Sequence, residues 1–133
     1  MAEQEPEIAE ETWRAQLSPE RYAILRQAAT EPAFSGDLLH EEGEGNFTCA
    51  GCQTPLFSSQ AKYDSGSGWP SFDAAISHGI VVEREDRSHG MLRIEILCAT
   101  CHGHLGHLFD DGPTSTGLRY CVNSLSLEFS PES

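Results

Sequence analysis

Residues 96–111, "ILCATCHGHLGHLFDD", decide how the chain folds, because they set a cysteine pair directly before a run of histidines. Cys98 and Cys101 are separated by two residues, and Cys49 and Cys52 repeat that spacing earlier in the chain. Two intervening residues allow a tight turn to aim both sulfurs at one metal ion, at about 2.3 Å each. The paired motifs therefore predict a four-thiolate zinc site that clamps two distant segments together.

Two other interpretations of the cysteine pairs remain, namely two disulfides or a redox-active motif. A cytosolic chain disfavours structural disulfides, and a thioredoxin-type motif requires a βαβ pattern that this sequence lacks. We therefore predict one zinc ion in a closed, structural site. Gly51 suits the sharp turn of the first pair, and His102 is excluded because four thiolates already complete a tetrahedron.

The composition suits one acidic, soluble domain. The chain has 133 residues, a formal net charge of −13 and only 8 Lys and Arg residues, which disfavours nucleic acid and anionic membranes as partners. No stretch approaches a membrane span, and the N-terminus resembles neither a signal peptide nor a transit peptide. We expect a cytoplasmic protein with one domain over 1–133: an acidic, frayed tail (1–11), a helical and irregular segment (12–45) and a zinc-clamped β core (46–133).

Two short helices are predicted in the first third of the chain. Ser18 can cap "LSPERYAILRQAA", and Pro19 fits the first helical position. "EETWRAQL" is a candidate for a shorter helix before it. The segment that follows, residues 30–46, is rich in Pro, Gly and charge and is predicted to be irregular.

Beyond Phe47 the pattern changes to short strands. "GIVVERE" and "MLRIEILC" flank "DRSHG" and predict a hairpin. In its second arm Leu92, Ile94 and Ile96 alternate with polar residues, as in a half-buried strand. "LRYCVNSLSLEF" is predicted to be the final strand. Helices followed by strands indicate a mostly β (α+β) fold with antiparallel sheets.

Cys121 is the fifth cysteine and has no partner once four are assigned to zinc. A buried, inert cysteine that packs as a small hydrophobic residue is one interpretation. Alternation along the predicted strand instead puts Cys121 on one face with Arg119 and Asn123. That face then continues to Leu125, Leu127 and Phe129. Because Arg119 favours the thiolate, we expect a lowered pKa for Cys121, as in a reactive cysteine on a rigid strand.

The histidine run and one glycine-rich loop supply further candidates. His104 and His107 follow the second cysteine pair, and Gly103 and Gly106 allow tight turns that present both side chains together. Near a free cysteine, such a pair suits proton transfer to a substrate. Surface or hydrogen-bonded loop histidines are the alternative. "YDSGSGWPSF" (63–72) carries Trp69, which is either a core tryptophan or the wall of a binding site.

Five blocks of the sequence resemble the methionine-R-sulfoxide reductases, the MsrB family. They are "TEPAFSG", "CAGC", "YDSGSGWPSF", "HGMLRIEILCATCHGHLGHLFDDGPTSTGLRY" and "CVNSLSLEF", and the resemblance runs from about Trp13 to Phe129. It implies two antiparallel β-sheets with short N-terminal helices and a structural zinc. It also implies repair of oxidative damage by reduction of the R epimer of methionine sulfoxide, mainly in proteins and peptides.

The resemblance also implies roles for individual residues. The predicted catalytic residues are Cys121, His104, His107, Asn123, Arg119 and Asp111. The predicted substrate-binding residues are Trp69, Phe72 and Phe109. Cys121 would attack the sulfoxide sulfur while the histidines bind and protonate its oxygen, and Trp69 would receive the substrate methyl group. Methionine then leaves, and Cys121 becomes a sulfenic acid.

Ser67 marks a departure from a common pattern of that family. Many members carry a resolving cysteine in the loop before "GWPSF", and others carry one near the N-terminus, but residues 1–48 contain none. With four of five cysteines assigned to zinc, no intramolecular disulfide with Cys121 is expected. We expect a monomer whose sulfenic acid is reduced by thioredoxin, glutaredoxin or a small thiol.

A binding or chaperone module built on a zinc-clamped β-fold, without catalysis, is the alternative function. It accounts for the cysteine pairs but gives no reason for Arg119, Cys121 and Asn123 to share a strand face. A nucleic-acid-binding zinc ribbon conflicts with the net charge of −13.

Overall fold

Two antiparallel sheets form the framework of the computed structural model, which describes residues 13, 15–87 and 90–131. Within these residues one α-helix is bounded, α1 (Pro19–Gln27), and strands follow it. The strands are β1 (Gly45–Cys49), β2 (Pro55–Ser58), β3 (Lys62–Tyr63), β4 (Ser71–Phe72), β5 (Val81–Asp86), β6 (Arg93–Cys98), β7 (His104–Phe109), β8 (Arg119–Val122) and β9 (Leu127–Pro131). The smaller sheet has the order β2-β1-β9 and the larger β3-β4-β8-β7-β6-β5. The predicted fold class is confirmed.

Helix α1 begins where the sequence predicts. Ser18 Oγ accepts a hydrogen bond from Arg21 N at 3.2 Å, and Pro19 lies in the first turn. Trp13 is also helical, but the acidic tail and part of the first predicted helix lie outside the described residues. Within the described part of the chain, no helix is both long and apolar enough to cross a bilayer.

Phenylalanine side chains join the two sheets. Phe47 of β1, Phe57 of β2 and Phe72 of β4 are all 0% exposed. The Phe57 and Phe72 rings stack with centroids 4.3 Å apart, and Phe47 meets Phe72 edge-on at 5.1 Å. Burying a side chain of this size contributes about 1.5–3 kcal/mol. These contacts therefore fix the larger sheet, which carries Cys121, against the smaller one.

The last predicted strand is two strands in different sheets. β8 and β9 are separated by a 3-10 turn, Ser124–Ser126. Ser124 Oγ accepts from Leu38 N at 2.9 Å, and Ser126 Oγ donates to His104 O at 2.9 Å. Serine side chains that bond to backbone groups compete with strand pairing. The predicted continuation of the Cys121 face to Leu125, Leu127 and Phe129 is therefore wrong.

The predicted hairpin is confirmed as β5–β6, but the expected alternation in its second arm is only partly correct. Leu92 is 60% exposed and precedes β6, whereas Glu95 is 7% exposed. Glu95 was predicted to be a solvent-facing position. Its burial has a cause in the structure, since its carboxylate is bonded to Arg84 and His104.

Candidate active site and cysteine cluster

One row of side chains crosses the larger sheet and includes the unpaired cysteine. Cys121 of β8 lies directly opposite His107 of β7 and, on its other side, Ser71 of β4. His107 in turn pairs with Glu95 of β6, and Glu95 pairs with Arg84 of β5. Opposed residues of neighbouring strands share a face, with Cβ atoms about 4.5–5.5 Å apart. The register therefore brings a thiol, an imidazole and a carboxylate to one face of the sheet.

A β-bulge brings His104 to the same face as His107. Residues three apart on a regular strand point to opposite faces, but β6 pairs Leu97 with His104 and leaves Leu105 without a partner. The two imidazole centroids lie 5.6 Å apart as a result. The predicted glycine turns are wrong, because His104–Phe109 is strand β7 and a bulge re-aims the first side chain.

Asn123 and Trp69 are held by the backbone around them. Asn123 N and Nδ2 both donate to the carbonyl of the bulged Leu105, at 2.8 and 3.0 Å. Asn123 Oδ1 accepts from Glu31 N at 3.0 Å, and Trp69 Nε1 donates to Glu31 O at 3.0 Å. Both side chains are thus fixed in place, and Asn123 also stabilises the bulge that orients His104.

A cavity of about 280 Å³ opens on the cysteine's face of the sheet. Its lining contains six of the predicted site residues, namely Trp69, His107, Phe109, Arg119, Cys121 and Asn123. The lining is completed by Ser67, noted in the sequence only as a missing cysteine, and by Thr30, Arg93 and Gly106, which were not predicted. All three lie within the quoted blocks, but nothing in the sequence singled them out as lining residues, because they reach the cavity through strand register and loop packing.

Three predicted residues do not line this cavity. His104 is 4% exposed, and Asp111 is an exposed residue of an adjoining groove of about 460 Å³. The role of Phe72 in substrate binding stays a prediction, but this residue is 0% exposed in the core. The reason is strand parity: Ser71 shares the face of Cys121, and the next residue along β4 points the other way.

Arg119 is held rigidly at one wall of the cavity. Its Nε and Nη2 donate to the two carboxylate oxygens of Asp111, at 2.8 and 3.1 Å. Its Cζ lies 4.3 Å from the ring centroid of Phe109. The hydrogen bonds from Arg119 lower the pKa of the exposed Asp111 carboxyl. Bidentate pairing together with the aromatic contact orients the guanidinium.

The predicted lowering of the Cys121 pKa is wrong in direction. Burial raises the pKa of this thiol, while a hydrogen bond from Ser67 and the charge of Arg119 act against the increase. Ser67 Oγ lies 3.9 Å from Cys121 Sγ. The loss of hydration of the thiolate outweighs the attraction of the arginine.

Two carboxylates that the sequence did not indicate bind the histidines. Glu95 Oε2 lies 2.7 Å from His104 Nδ1, and Asp86 Oδ2 lies 2.7 Å from His107 Nε2. Both carboxylates come from the β5–β6 hairpin, which appeared in the sequence only as a structural element. Knowledge of the β6–β7 register was needed to find them.

The sulfurs of the two cysteine pairs converge at the end of β6 that carries Cys98. Cys49 Sγ lies 3.6 Å from Cys101 Sγ, and Cys52 Sγ lies 3.5 Å from Cys98 Sγ. All four ligand atoms lie within 4.8 Å of one another. A tetrahedral zinc with bonds of about 2.3 Å requires sulfurs about 3.8 Å apart. The donor set therefore fits zinc, and an ion there would tie β1 of one sheet to β6 of the other.

Two turns of matching geometry carry these cysteines. Gln53 N donates to Cys49 O and His102 N donates to Cys98 O, both at 2.8 Å. Gln53 and His102 each have a left-handed backbone, with φ of 69° and 61°. A non-glycine residue in this conformation costs about 1–3 kcal/mol, which a metal ion shared by the two turns could offset.

Gly51 does not provide the sharp turn that was assigned to it. The left-handed residue of the first turn is Gln53, and Gly51 is not among the positive-φ residues. A Cβ at Gly51 would meet the Trp13 ring at 3.3 Å and Cys101 Sγ at 3.6 Å. The glycine therefore leaves room for packing over the cluster.

The four thiols cannot ionise independently. Hydrogen bonding with Cys101 lowers the pKa of Cys98 to about 2, whereas hydrogen bonding with Cys101 raises the pKa of Cys49. Crowded thiolates repel one another, so full ionisation of the cluster requires a cation among the sulfurs.

Comparison with known proteins gives a consistent family. The SelR domain family matches residues 17–131. The peptide methionine sulfoxide reductase MsrB of Leptospira interrogans is 55% identical over 124 residues, covering 93% of this chain and 95% of that protein. The proteins of the same name from Thiobacillus denitrificans and Bradyrhizobium diazoefficiens are 57% and 55% identical, covering 90% and 93% of this chain and 91% and 89% of their own.

The matched region includes both the cysteine cluster and the cavity around Cys121. It also contains all five sequence blocks and the whole of helix α1. The chain therefore belongs to the SelR family and, like its MsrB relatives, is an oxidoreductase.

Proposed function

We propose that this chain reduces the R epimer of methionine sulfoxide in proteins and peptides, with Cys121 as the nucleophile. The observation that carries the proposal is the position of Cys121, which lies opposite His107 in a cavity. A nucleophile and a proton-transfer group on adjacent strands suit attack on a polar S=O bond. The printed names of the relatives support methionine sulfoxide as the substrate class.

The cavity lining suggests how the substrate binds. Trp69 and Phe109 supply aromatic surface for the methyl and methylene groups, while Arg119 and Asn123 supply polar groups. The two kinds of surface flank Cys121. This arrangement would present the sulfoxide sulfur to the thiol. The sulfoxide sulfur carries a methyl group, a methylene chain and an oxygen, so a pocket that holds all three in fixed places accepts one hand. We propose that this hand is R.

The chemistry moves two electrons from the cysteine to the sulfoxide. The Cys121 thiolate attacks the sulfoxide sulfur and forms a sulfur–sulfur bond, while the oxygen takes up two protons and leaves as water. A water molecule then attacks Cys121 Sγ, the sulfur–sulfur bond breaks, methionine is released, and Cys121 is left as a sulfenic acid. Because burial raises the pKa of Cys121, deprotonation of the thiol is part of the cost of this step.

An external thiol restores Cys121. Ser67, a loop residue, lies beside Cys121 with Oγ 3.9 Å from Sγ, and the four other cysteines of the chain cluster together. One thiol of thioredoxin, glutaredoxin or a small molecule condenses with the sulfenic acid to release water and form a mixed disulfide. A second thiol then releases reduced Cys121 and a disulfide. A monomer in a reducing cytoplasm suits this recycling.

We also propose that Cys49, Cys52, Cys98 and Cys101 hold one zinc ion. When bound, the ion supplies a fixed cross-link between the sheets, because protein thiolates fill all of its positions. The sulfur distances and the paired turns support this role.

Intact mass spectrometry after one turnover tests the proposed function. Native protein is mixed with a peptide containing R or S methionine sulfoxide, without reductant. The R peptide should yield one reduced methionine per chain and a protein mass increase of about 16 Da, the sulfenic acid. The Cys121→Ser variant and the S peptide should give neither. A loss of two hydrogens from the protein, or reduction by Cys121→Ser, would contradict the proposal.

A further inference from the structure

The two carboxylates bound to the histidines have no role in the reaction as described so far. Glu95 is 7% exposed, and the side chain of Asp86 is 18% exposed. We propose that Glu95 and Asp86 are positioning residues that fix the tautomers of His104 and His107, so that the proton reaching the substrate oxygen comes from an imidazolium. The inference rests on the proposed sulfoxide reduction and adds to it the residues that control proton delivery.

The Glu95 contact fixes one ring nitrogen of His104. Glu95 Oε1 accepts from Arg84 Nε and Nη2, at 3.1 and 2.9 Å. Its other oxygen, Oε2, is therefore the one available to His104 Nδ1 at 2.7 Å. A carboxylate accepts hydrogen bonds, so Nδ1 carries the hydrogen. His104 Nε2 is buried and has no hydrogen-bond partner among the described residues.

The Asp86 contact fixes the opposite nitrogen of His107. Asp86 Oδ2 lies 2.7 Å from His107 Nε2 and 3.6 Å from Arg93 Nη2. Nε2 therefore carries the hydrogen in His107, and Nδ1 is the nitrogen without one in the neutral ring. The two rings, 5.6 Å apart, thus have opposite tautomers on one face of the sheet.

These tautomers limit what a neutral ring can do. With the only hydrogen bonded to a carboxylate, the other nitrogen of each neutral ring is an acceptor and cannot protonate an oxygen. A donor exists only when that nitrogen gains a second proton. The negative carboxylate stabilises the resulting imidazolium. After the proton moves to the substrate oxygen, the ring is neutral again and still carries the hydrogen bonded to its carboxylate.

Several charged or titratable groups face this pair of rings and set the balance between the neutral and the protonated imidazole. Around His104 they are Glu95, Arg84 and His107; around His107 they are Asp86, Arg93, Glu95, His104, Arg119 and Cys121. Burial lowers the pKa of His107, and the hydrogen bond to Asp86 acts against this decrease. Although burial alone would raise it, the pKa of Glu95 is lowered by its hydrogen bonds from His104 and Arg84. Glu95 thus stays ionised at neutral pH.

Nitrogen NMR of the full chain tests the tautomers without measuring activity. In long-range 1H–15N spectra at pH 8, neutral His104 should have its hydrogen on Nδ1 and neutral His107 on Nε2. Replacing Glu95 with Gln or Asp86 with Asn should change the tautomer population of the attached ring only. The reverse tautomers in the native protein, or no response to either substitution, would overturn the inference.

Single-turnover rates measured against pH test whether these carboxylates control proton delivery to the substrate. Glu95→Gln and Asp86→Asn remove charge with little change of shape, whereas Glu83→Gln on exposed β5 removes the same charge away from the rings. At pH 8 at least one of the two site variants should react about 10- to 100-fold more slowly. Its alkaline limb should move to lower pH, because its imidazolium loses a stabilising charge, and Glu83→Gln should match the native profile.

A uniform loss of rate with an unshifted pH profile in both site variants would overturn the inference. So would native rates in both of them. Thermal unfolding and zinc content of each variant separate misfolding from altered proton delivery. If the native protein itself fails to reduce the R sulfoxide, the proposed function fails, whereas the tautomer assignment is still decided by NMR.

Discussion

The cysteine cluster and the cavity around Cys121 use the same side chain in opposite ways. In the cluster, Cys49 and Cys98 are 0% exposed and each belongs to a turn formed by neighbouring residues. In the cavity, Cys121 is partly exposed and its neighbours come from different strands and loops. One site is closed around its sulfurs, and the other leaves its sulfur open to a ligand.

The difference shows which structural level encodes each site. Spacing within five residues sets the geometry of each cluster turn, so only the approach of two turns depends on the fold. The cavity depends on the pairing of β4, β8, β7, β6 and β5 in one register. Damage to the cluster should therefore affect folding, and damage to the cavity should affect chemistry.

Replacing one cysteine by serine at each site should give the largest difference between the two sites, in zinc content and in stability. We expect Cys52→Ser to lose zinc and much of its folded structure. Structural zinc in small sites contributes about 10–16 kcal/mol in isolated peptides, which rivals the whole stability of a domain, about 5–15 kcal/mol. Metal analysis and thermal unfolding by circular dichroism measure the effect.

Cys121→Ser is the matched variant at the cavity. It should keep its zinc and its unfolding temperature while sulfoxide reduction falls by more than about 1,000-fold, as for removal of other nucleophiles. An unchanged unfolding temperature in Cys52→Ser would show that the cluster does not hold the sheets together.

Gly106→Ala should show that the cavity depends on close strand packing. A Cβ at Gly106 would overlap the backbone carbonyl of Cys121 on β8, and backbone cannot move aside as a flexible side chain can. We expect a loss of about 1–3 kcal/mol in the free energy of unfolding, measured by urea titration, together with reduced turnover because the bulge beside it carries His104.

Gly43→Ala is the control for that substitution. Its added Cβ meets the flexible Glu41 side chain at 3.0 Å in an exposed loop. It should leave stability within about 0.5 kcal/mol of the native value. A native-like urea midpoint for Gly106→Ala would mean that β7 and β8 separate more easily than their register implies.

Arg119→Met tests, with a smaller expected effect, how the Arg119 charge influences the pKa of the Cys121 thiol. The pKa of Cys121 is raised by burial, and Arg119 acts against this increase. Removing the guanidinium should raise that pKa further. The rate of iodoacetamide reaction at Cys121 should then need a more alkaline pH, because only the thiolate reacts.

Asp111→Asn should act in the opposite direction. It frees the guanidinium of Arg119 from its bidentate partner, so the pKa of Cys121 should fall and alkylation should speed up at neutral pH. Shifts of the same sign in both variants would exclude a direct effect of the arginine charge on the thiol.

Local features of the sequence predicted their structure well. The start of α1 follows from Ser18 and Pro19, and the β5–β6 hairpin follows from two apolar runs around a polar loop. Several other features that depend on distant partners were not predicted. The burial of Phe72, which was expected to bind substrate, follows from the register of β4 against β8, and the sequence does not show that register.

The prediction of one continuous final strand was wrong for a related reason. Its apolar and polar residues alternate through Ser124, but serine hydroxyls and Glu31 bind backbone groups there and end the ladder. Hydrogen bonds to loops from the first third of the chain decide this break. No periodicity within the strand itself records them.

The sequence by itself determined the two cysteine pairs of matching spacing, the single remaining cysteine and the absence of a second thiol to pair with it. These conclusions depend on spacing and count, which do not change when the chain folds. Only the tertiary structure decided that His104 turns toward His107, that Glu95 and Asp86 hold the two rings, and that the pKa of Cys121 rises. Strand register and burial control those properties, because each arises from groups far apart in sequence that meet only in the packed sheet.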